Sequence, residues 1–169
     1  MTTILPIRRS PNDHPSVDVR PSEDFGMGLF ATKRLEPNEP IASFDGKVYR
    51  LRSVREEIAN DPPLYACDHV VQFEPMAWRD SDGIARYANH SCDPNCGIRD
   101  LFTITTMRAI DIGEELKWDY AMTENDGEWT MDCRCETALC RKKVLGFSAL
   151  SRERRAAYEG FISSWLVGH

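Results

Sequence analysis

Three closely spaced cysteines near the C-terminus constrain the fold of this chain more than any other feature. Cys133, Cys135 and Cys140 follow the spacing C-x-C-x4-C, which supplies three thiolates within eight residues. A structural zinc site requires four ligands in a tetrahedron, so the chain has to bring a fourth ligand from elsewhere. The remaining cysteines are Cys67, Cys92 and Cys96. Spacing alone does not choose between Cys92 and Cys96, which both lie in a turn-rich segment from which a side chain can reach the triplet.

The overall composition favours metal over disulfides for these thiols. Six cysteines in 169 residues are too few for a disulfide scaffold. A chain of this length buries roughly 70% of its unfolded surface without one. The N-terminus has no apolar block of signal-peptide length, and no stretch approaches the roughly 20 apolar residues of a membrane span. We therefore expect no membrane association and a reducing compartment, with incidental or redox-active cysteines as the alternative to a metal site.

The charge balance bears on the partner of the protein. The formal net charge is −6, from 21 Lys and Arg against 27 Asp and Glu, which argues against direct, sequence-independent binding to nucleic acid. A cationic partner suits this surface better, although modest acidity also serves solubility alone. We interpret two basic clusters, Arg141-Lys142-Lys143 and Arg152-Glu153-Arg154-Arg155, as solvated faces rather than nuclear-targeting signals.

Short runs of β-type residues recur between turn signals and predict a mainly β protein. The runs span 29–32, 41–44, 70–73, 102–107 and 116–120. Their lengths favour several small sheets over one large sheet. Residues 53–59 favour one short helix, because Asp61-Pro62-Pro63 follows them and stops it.

The C-terminal residues change to a helical period. Tyr158, Phe161 and Trp165 belong to an apolar stripe at three-to-four spacing, which predicts an amphipathic helix. Ser151 is its candidate N-cap, and Gly160 weakens it by about 1 kcal/mol.

The segment from Arg86 to Asn95 carries more hydrogen-bonding side chains than a structural loop needs. Loops of this kind usually carry function. A lone histidine would be interpreted as a buried core residue. His90 is flanked by Asn89 and Ser91, and this favours a functional interpretation.

Two glycine-containing segments predict turns that enter strands. Gly26-Met27-Gly28 leaves backbone groups exposed near Met27, but it lacks the third glycine and the helix of a dinucleotide fingerprint. The segment from Gly113 to Tyr120 predicts a turn and a strand that ends with two aromatic residues around an aspartate. Taken singly, each segment is ordinary β-structure.

Taken together and in this order, the motifs resemble the SET-domain protein lysine methyltransferases. The resemblance covers roughly residues 19–147, includes the family's post-SET cysteine element and lacks its cysteine-rich pre-SET region. We therefore divide the chain into a mobile N-terminal segment, a SET domain, a post-SET zinc-binding segment and a C-terminal helix. These predicted segments span residues 1–18, 19–123, 124–147 and 148–169.

The resemblance implies a β-clip fold of small curved sheets around a pseudoknot. In that fold the segment ending at Tyr120 threads beside the loop that holds Asn89 and His90. The family's methyl donor is S-adenosylmethionine, and the resemblance implies donor contacts with Phe25, Gly26, Met27, Tyr65, Asn89 and His90. It also implies that the zinc ligands are Cys92, Cys133, Cys135 and Cys140. Cys67 and Cys96 remain free.

The implied reaction transfers a methyl group from a sulfonium to the ε-amine of a lysine in a protein substrate, such as a histone or another basic protein. Tyr120 matches the family's catalytic tyrosine and is expected to orient the amine. Two residues of the expected substrate channel depart from the family pattern. Trp118 stands where many members have Phe or Tyr, and Phe44 stands where many have Tyr, so the number of methyl groups added is open.

Two other functions compete with this interpretation. A catalytically inactive SET-like module that binds a peptide would explain Phe44 and Trp118 as remains of a channel, but the presence of Tyr120, Asn89 and His90 argues against it. A purely structural zinc protein leaves the loop around His90 unexplained. The expected location is intracellular, in the cytoplasm first, with the nucleus or a host's chromatin as alternatives.

Overall fold

The computed structural model describes residues 7–23, 26–50 and 70–167. Within these ranges the chain forms short strands and very little helix. The strands are β1 (Val17–Pro21), β2 (Met27–Ala31), β3 (Pro40–Ser43), β4 (Gly46–Arg50), β5 (Val70–Glu74), β6 (Ala77–Ser81), β7 (Asn89–His90), β8 (Cys96–Arg99), β9 (Thr103–Thr106), β10 (Glu115–Trp118), β11 (Met131–Asp132) and β12 (Lys143–Val144). The helices are α1 (Arg152–Ala157) and α2 (Ser164–Val167).

The strands assemble into small sheets, as the sequence predicts. One sheet has the order β1-β2-β10-β7, two three-stranded sheets have the orders β3-β9-β8 and β4-β6-β5, and β11 pairs with β12. Each predicted β run contains or overlaps a strand, so the mainly β class is confirmed. The predicted helix at 53–59 lies outside the described residues.

Alternation along the strands produces the core and fixes the register of β10. Leu116 and Trp118 of β10 are buried, whereas the two residues that alternate with them are partly exposed. Leu116 lies opposite Leu29 of β2, and both side chains are fully buried. Burying an aliphatic side chain of this size contributes roughly 1.5–3 kcal/mol, so this register is strongly preferred over a shift by one residue. This packing therefore fixes the register of β10 against β2.

The C-terminal region is helical at both ends but is not one continuous helix. Ser151 caps α1 as predicted, because its side chain accepts a hydrogen bond from the Arg154 backbone N–H at 3.2 Å. Gly160 adopts a left-handed conformation with φ of +79°, which ends the helical path before α2 begins. Phe161 then packs on β8, where its carbonyl accepts a hydrogen bond from Ile98 at 2.9 Å. The prediction of one amphipathic helix is therefore wrong, because Tyr158 and Phe161 lie between two short helices and only Trp165 of the three named residues is helical.

The N-terminal part of the described chain forms an edge strand. Val17 of β1 is buried and lies opposite Ala31 of β2. Strand β1 thus crosses the predicted boundary between residues 18 and 19. None of the helices among the described residues has the length and apolarity to cross a membrane.

Candidate functional site

The end of β10 lies beside the polar loop that follows β7. Strand β10 pairs in parallel with β7, with Lys117 opposite Asn89 and Trp118 opposite His90. The Ser91 backbone N–H extends this pairing with a bond to the Trp118 carbonyl at 3.0 Å. A parallel pair of strands this short requires help from outside the ladder. The two motifs that the sequence singles out therefore meet in one place.

Asn95 stitches the same two segments together from the other end of the loop. Its amide Nδ2 donates to the Glu115 carbonyl at 2.8 Å, and its Oδ1 accepts from the Lys117 N–H at 2.8 Å. The side chain thus imitates a neighbouring strand. Asn95 belongs to the polar loop that the sequence singles out, but its place in the chain does not indicate this role.

Asn89 connects β7 to the glycine segment that opens β2. Its Nδ2 donates to the Met27 carbonyl at 3.0 Å and to Glu115 Oε1 at 2.7 Å. A Cβ atom at Gly28 would lie only 2.2 Å from Glu115 Oε1, so the carboxylate reaches Asn89 because residue 28 has no side chain. Gly26 has φ of +56° and open space beside its Cα. The structure thus brings together Gly26, Met27 and Asn89.

His90 is buried and electrically neutral. Burial lowers the pKa of its imidazole to about 4; Asp119 opposes the shift, and Arg141 adds to it. Its Nδ1 accepts a hydrogen bond from the Tyr120 backbone N–H at 3.3 Å, which assigns the proton to Nε2. The Nε2 atom lies 3.4 Å from Cys92 Sγ and donates to it. His90 therefore joins the tyrosine to a cysteine.

A row of aromatic rings surrounds Tyr120. The ring of Tyr120 lies 5.1 Å from that of His90 and 4.9 Å from that of Trp118, and Trp118 lies 5.3 Å from Phe44. The Trp118 indole N–H donates to the Ala88 carbonyl at 3.1 Å, and the Tyr120 hydroxyl lies 3.5 Å from the same oxygen. Phe44 and Trp118 are both 3% exposed, whereas Tyr120 is only partly buried. The phenol therefore stands at the edge of an apolar wall.

Trp129 extends this wall, and none of the sequence motifs points to it. Its ring centroid lies 6.3 Å from that of Tyr120. The Trp129 backbone N–H is held by Asp126 Oδ1 at 2.7 Å, which forms a local turn after the SET-like segment. The asparagine- and aspartate-rich turn is visible in the sequence, but the direction in which Trp129 points is not.

Four cysteines form one cluster. The Sγ atoms of Cys92, Cys133, Cys135 and Cys140 all lie within 4.8 Å of one another. Cys92 Sγ is 3.7 Å from Cys133 Sγ, close to the spacing of about 3.8 Å that follows from tetrahedral Zn–S bonds of about 2.3 Å. Of the alternatives open from spacing, Cys96 lies in β8 opposite Thr106, outside the cluster, and Cys67 lies outside the described residues.

The backbone of residues 131–144, here called the cysteine loop, holds three of these thiols. Pairing of β11 with β12 closes the loop, and the Cys133 N–H donates to the Lys142 carbonyl at 2.7 Å. Burial opposes ionisation of the Cys135 thiol, but hydrogen bonds involving Thr137 and neighbouring backbone lower its pKa to about 6. Four thiolates this close repel one another unless a cation binds between them, so the donor set fits a structural Zn²⁺.

The basic clusters are not simply solvated faces. Arg141 Nη2 donates to Asp119 Oδ1 at 2.5 Å, and its side chain is 21% exposed against 0% for Asp119. Arg154 donates to the carbonyls of Cys92 and Leu139. The interpretation as solvated faces is therefore wrong for Arg141 and Arg154, because nearby buried acceptors attract these guanidinium groups.

Two residues of the predicted donor site are not described. Phe25 and Tyr65 lie outside the described residues, so their predicted contacts stay predictions. Every other predicted site residue falls either in the aromatic and asparagine site around Tyr120 or in the cysteine cluster.

Comparison with known proteins decides the family. The model of the SET domain matches residues 26–121, which is more than half of the chain. This chain belongs to the SET domain family. The match ends one residue after Tyr120 and leaves out the cysteine loop and the C-terminal helices, which therefore have to be understood from the structure.

Curated SET proteins are similar to this chain over most of its length. Histone-lysine N-methyltransferase 2D of Homo sapiens is 32% identical over 132 residues, which cover 69% of this chain. The probable histone-lysine N-methyltransferase set-23 of Caenorhabditis briggsae is 29% identical over 137 residues, or 72% of this chain. The chain spans only 2% of the human protein and 57% of the nematode protein.

A solved structure shares the fold. KRYPTONITE, crystallised in complex with mCHG DNA and SAH, superposes with a TM-score of 0.59 and 19% sequence identity. The similarity covers 76% of this chain and 29% of the KRYPTONITE chain. This agreement confirms the SET architecture expected from the motifs.

Proposed function

We propose that this chain is a protein lysine N-methyltransferase that uses S-adenosylmethionine as its methyl donor. The observation that carries the proposal is the setting of Tyr120, whose ring packs on His90 and Trp118 while its hydroxyl faces the Ala88 carbonyl. Membership of the SET family supports the reaction class. Relatives named as histone-lysine N-methyltransferases support a protein lysine as the acceptor.

The donor site of this proposal consists of the β2 entry and the β7 loop. The Asn89 amide holds the Met27 carbonyl, and the space beside the Gly26 Cα is open. Phe25 and Tyr65 complete the proposed set on the basis of the resemblance alone. When bound, S-adenosylmethionine supplies a methyl group on a positively charged sulfonium. The presence of SAH in the KRYPTONITE complex supports this choice of donor.

The residues around Tyr120 favour the neutral form of the substrate lysine. At a reference pKa near 10.4, only about one lysine in 2,500 is neutral at pH 7, which costs roughly 4.6 kcal/mol. In this proposal the buried rings of Phe44 and Trp118 form an apolar backing behind the partly exposed Tyr120 that keeps water from an amine bound there, and desolvation lowers the pKa of an ammonium. The proposed function of the Tyr120 hydroxyl is to orient the neutral amine rather than to remove its proton.

Zinc bound by Cys92, Cys133, Cys135 and Cys140 has a structural function in this proposal. Cys92 follows two residues after His90, and its sulfur accepts the His90 Nε2–H. Metal binding at this cluster therefore stabilises the loop that carries Asn89 and His90, because ligand placement and folding are linked.

The proposed substrate is a basic protein, and histones are the first candidates. The net charge of −6 favours a cationic partner, and the names of the relatives point in the same direction. Direct binding to nucleic acid is not part of the proposal, in line with the acidic charge. Chromatin is the proposed location if histones are the substrate, and the cytoplasm if another basic protein is.

The test is methyl transfer from labelled donor to histones and to other basic proteins, with the modified residue identified by mass spectrometry. We expect labelled lysine that depends on protein and donor. A folded, zinc-loaded protein that binds the donor and labels no lysine would favour the peptide-binding module. Tyr49→Phe is the matched control for variants of Tyr120, because Tyr49 lies on β4 and contacts Lys47 instead of the site.

A further inference from the structure

A buried carboxylate lies directly before Tyr120 and receives hydrogen bonds from three parts of the chain. Asp119 has no exposed surface. Its Oδ1 accepts from Arg141 Nη2 at 2.5 Å and from the Ala121 N–H at 3.1 Å, and its Oδ2 accepts from the Tyr158 hydroxyl at 3.0 Å. A buried carboxylate without partners is strongly destabilising, so these donors determine where the end of β10 lies.

Arg141 spans the cysteine cluster and the carboxylate with one side chain. It follows Cys140 directly, and its backbone N–H and Nε both donate to Cys92 Sγ at 3.4 Å. Its terminal nitrogen donates to Asp119. The fixed planar fork of a guanidinium can serve two acceptors in this way, and a lysine ammonium cannot reproduce the geometry.

Arg154 of helix α1 and Tyr158 at its C-cap make the remaining contacts. Arg154 donates to the carbonyl of Cys92 through Nη1 and to that of Leu139 through Nη2 at 2.9 Å, so it touches both segments that supply the cysteines. Arg154 Nη1 also donates to the Tyr158 hydroxyl at 3.0 Å, one helical turn away. Burial and the neighbouring Asp119 raise the pKa of Tyr158, so its phenol keeps the proton that it donates.

We propose that Asp119, Arg141, Arg154 and Tyr158, here called the Asp119 clamp, couple closure of the cysteine loop to the position of Tyr120. This inference rests on the proposed methyltransferase function for its catalytic meaning. Arg141, Arg154 and Tyr158 are positioning residues that act through Asp119 and Cys92. Helix α1 then helps to position the site, although the site itself is built around the sheet that contains β7 and β10.

The contacts favour coupling over simple packing. The clamp joins three segments that no strand ladder connects: the end of β10, the cysteine loop and α1. Its main connections are directional hydrogen bonds to acceptors on the buried residues Asp119 and Cys92. Loss of one donor leaves that acceptor unsatisfied and loosens the segments at both ends of the bond.

Hydrogen exchange measured by mass spectrometry on the full chain is the first test. Tyr158→Phe removes only the hydroxyl and leaves Asp119 Oδ2 without that donor. We expect amide exchange to quicken by roughly five- to hundredfold in residues 119–123 and also in the cysteine loop, which corresponds to an unsatisfied buried acceptor. The matched control, Tyr49→Phe, should change neither segment. Faster exchange confined to residues 151–163 would mean local packing and would overturn the clamp.

Variants of Arg141 distinguish a guanidinium that bridges two acceptors from a side chain that contributes only a positive charge. In the clamp, Arg141→Lys and Arg141→Gln both speed exchange in residues 119–123, since neither side chain can reach Cys92 and Asp119 together. Full restoration by Arg141→Lys would overturn the bridge. Arg152→Gln is the control, because it removes the same charge from an exposed position of α1.

Steady-state kinetics connect the clamp to catalysis. Tyr158→Phe is expected to lower kcat at least fivefold with KM for a lysine peptide within twofold, because a displaced Tyr120 affects the transition state more than the bound substrate. Exchange requires no turnover, so the two proposals can fail separately. Coupled exchange in a protein without activity would overturn the proposed function alone, and uncoupled exchange in an active protein would overturn the clamp alone.

Discussion

Tyr120 combines two environments in one residue. Its backbone N–H is fixed by neutral His90, while its hydroxyl stands at the edge of an apolar wall near a carbonyl oxygen. A phenol hydroxyl in this position can share that carbonyl with an incoming amine. This is the arrangement expected of a group that orients a substrate.

Replacement of Tyr120 by Phe tests that function. We expect kcat to fall by about a hundredfold or more, since a preorganised hydrogen-bonding group is lost at the reacting centre. Donor affinity, measured by calorimetry with S-adenosylhomocysteine, should stay within about twofold. An equal loss of donor affinity would show that the ring is a structural element.

Glu124 is a buried acid next to this region. Its side chain is 7% exposed and its Oε1 accepts from the Gln72 backbone N–H at 2.9 Å. Burial raises the pKa of its carboxyl to about 8, with a smaller opposing contribution from that hydrogen bond. The acid is therefore protonated in the folded protein at neutral pH.

This protonation predicts how stability depends on pH. Because the folded pKa of Glu124 lies above the unfolded value of about 4.5, the unfolded state releases its proton first. The contribution of Glu124 to the free energy of unfolding then falls between pH 4.5 and 8, by at most about 1.4 kcal/mol per pH unit. Urea unfolding of Glu124→Gln should show a stability gain over the wild type that grows across this range. A constant difference would contradict the assignment.

At the scale of elements, β2 and β10 approach closely at Gly28. The absence of a Cβ lets Glu115 Oε1 pass near Gly28 and accept from Asn89. A strand glycine in such a place marks a close approach that a side chain would block.

Gly28→Ala should displace the Glu115 carboxylate and release Asn89. We expect the unfolding free energy to fall by about 1 kcal/mol, as for one broken hydrogen bond. The affinity for the methyl donor S-adenosylmethionine should weaken several-fold. In the Glu115→Ala background there is no carboxylate to clash with, so Gly28→Ala should then cause a smaller loss of stability and of methyl-donor affinity. Additive effects in this double-mutant cycle would contradict the proposed contact.

In the proposed function, bound zinc orders the cysteine loop. Cys135→Ser, or chelation, should lower Tm by roughly 2–4 °C for each kcal/mol of metal-linked stability lost, and it should lower donor affinity. Cys96→Ala is the control for metal content, because Cys96 lies in β8 outside the cluster and should leave zinc stoichiometry unchanged. Unchanged melting after verified zinc removal would contradict this prediction.

At the scale of the whole molecule, the net charge of −6 predicts electrostatic attraction of basic substrates. Salt screens such attraction, with a Debye length of about 10 Å at 0.1 M. We expect kcat/KM for a basic lysine peptide to fall as ionic strength rises from about 0.05 to 0.5 M, and that for a peptide with neutral flanks to change little. Equal responses would place substrate selection in local contacts instead.

Local patterns in the sequence predicted part of the elements and the chemistry of the residues. Short β-type runs between turn signals predicted β2, β3, β5, β9 and β10, Ser151 predicted the start of α1, and the spacing of Cys133, Cys135 and Cys140 predicted a metal site. These features depend on neighbours within a few residues, so they can be read along the chain. Resemblance to a family then connected Asn89, His90 and Tyr120, which lie apart in the sequence.

Tertiary structure alone decided which distant groups became partners. Spacing left Cys92 and Cys96 equal, and the register of β7 against β10 places Cys92 in the cluster. In the sequence Arg141 and Arg154 look like any surface arginine, yet in the fold they donate hydrogen bonds to buried acceptors. Such choices depend on contacts between remote segments, whose energies no local pattern contains, so they appear only once the chain has folded.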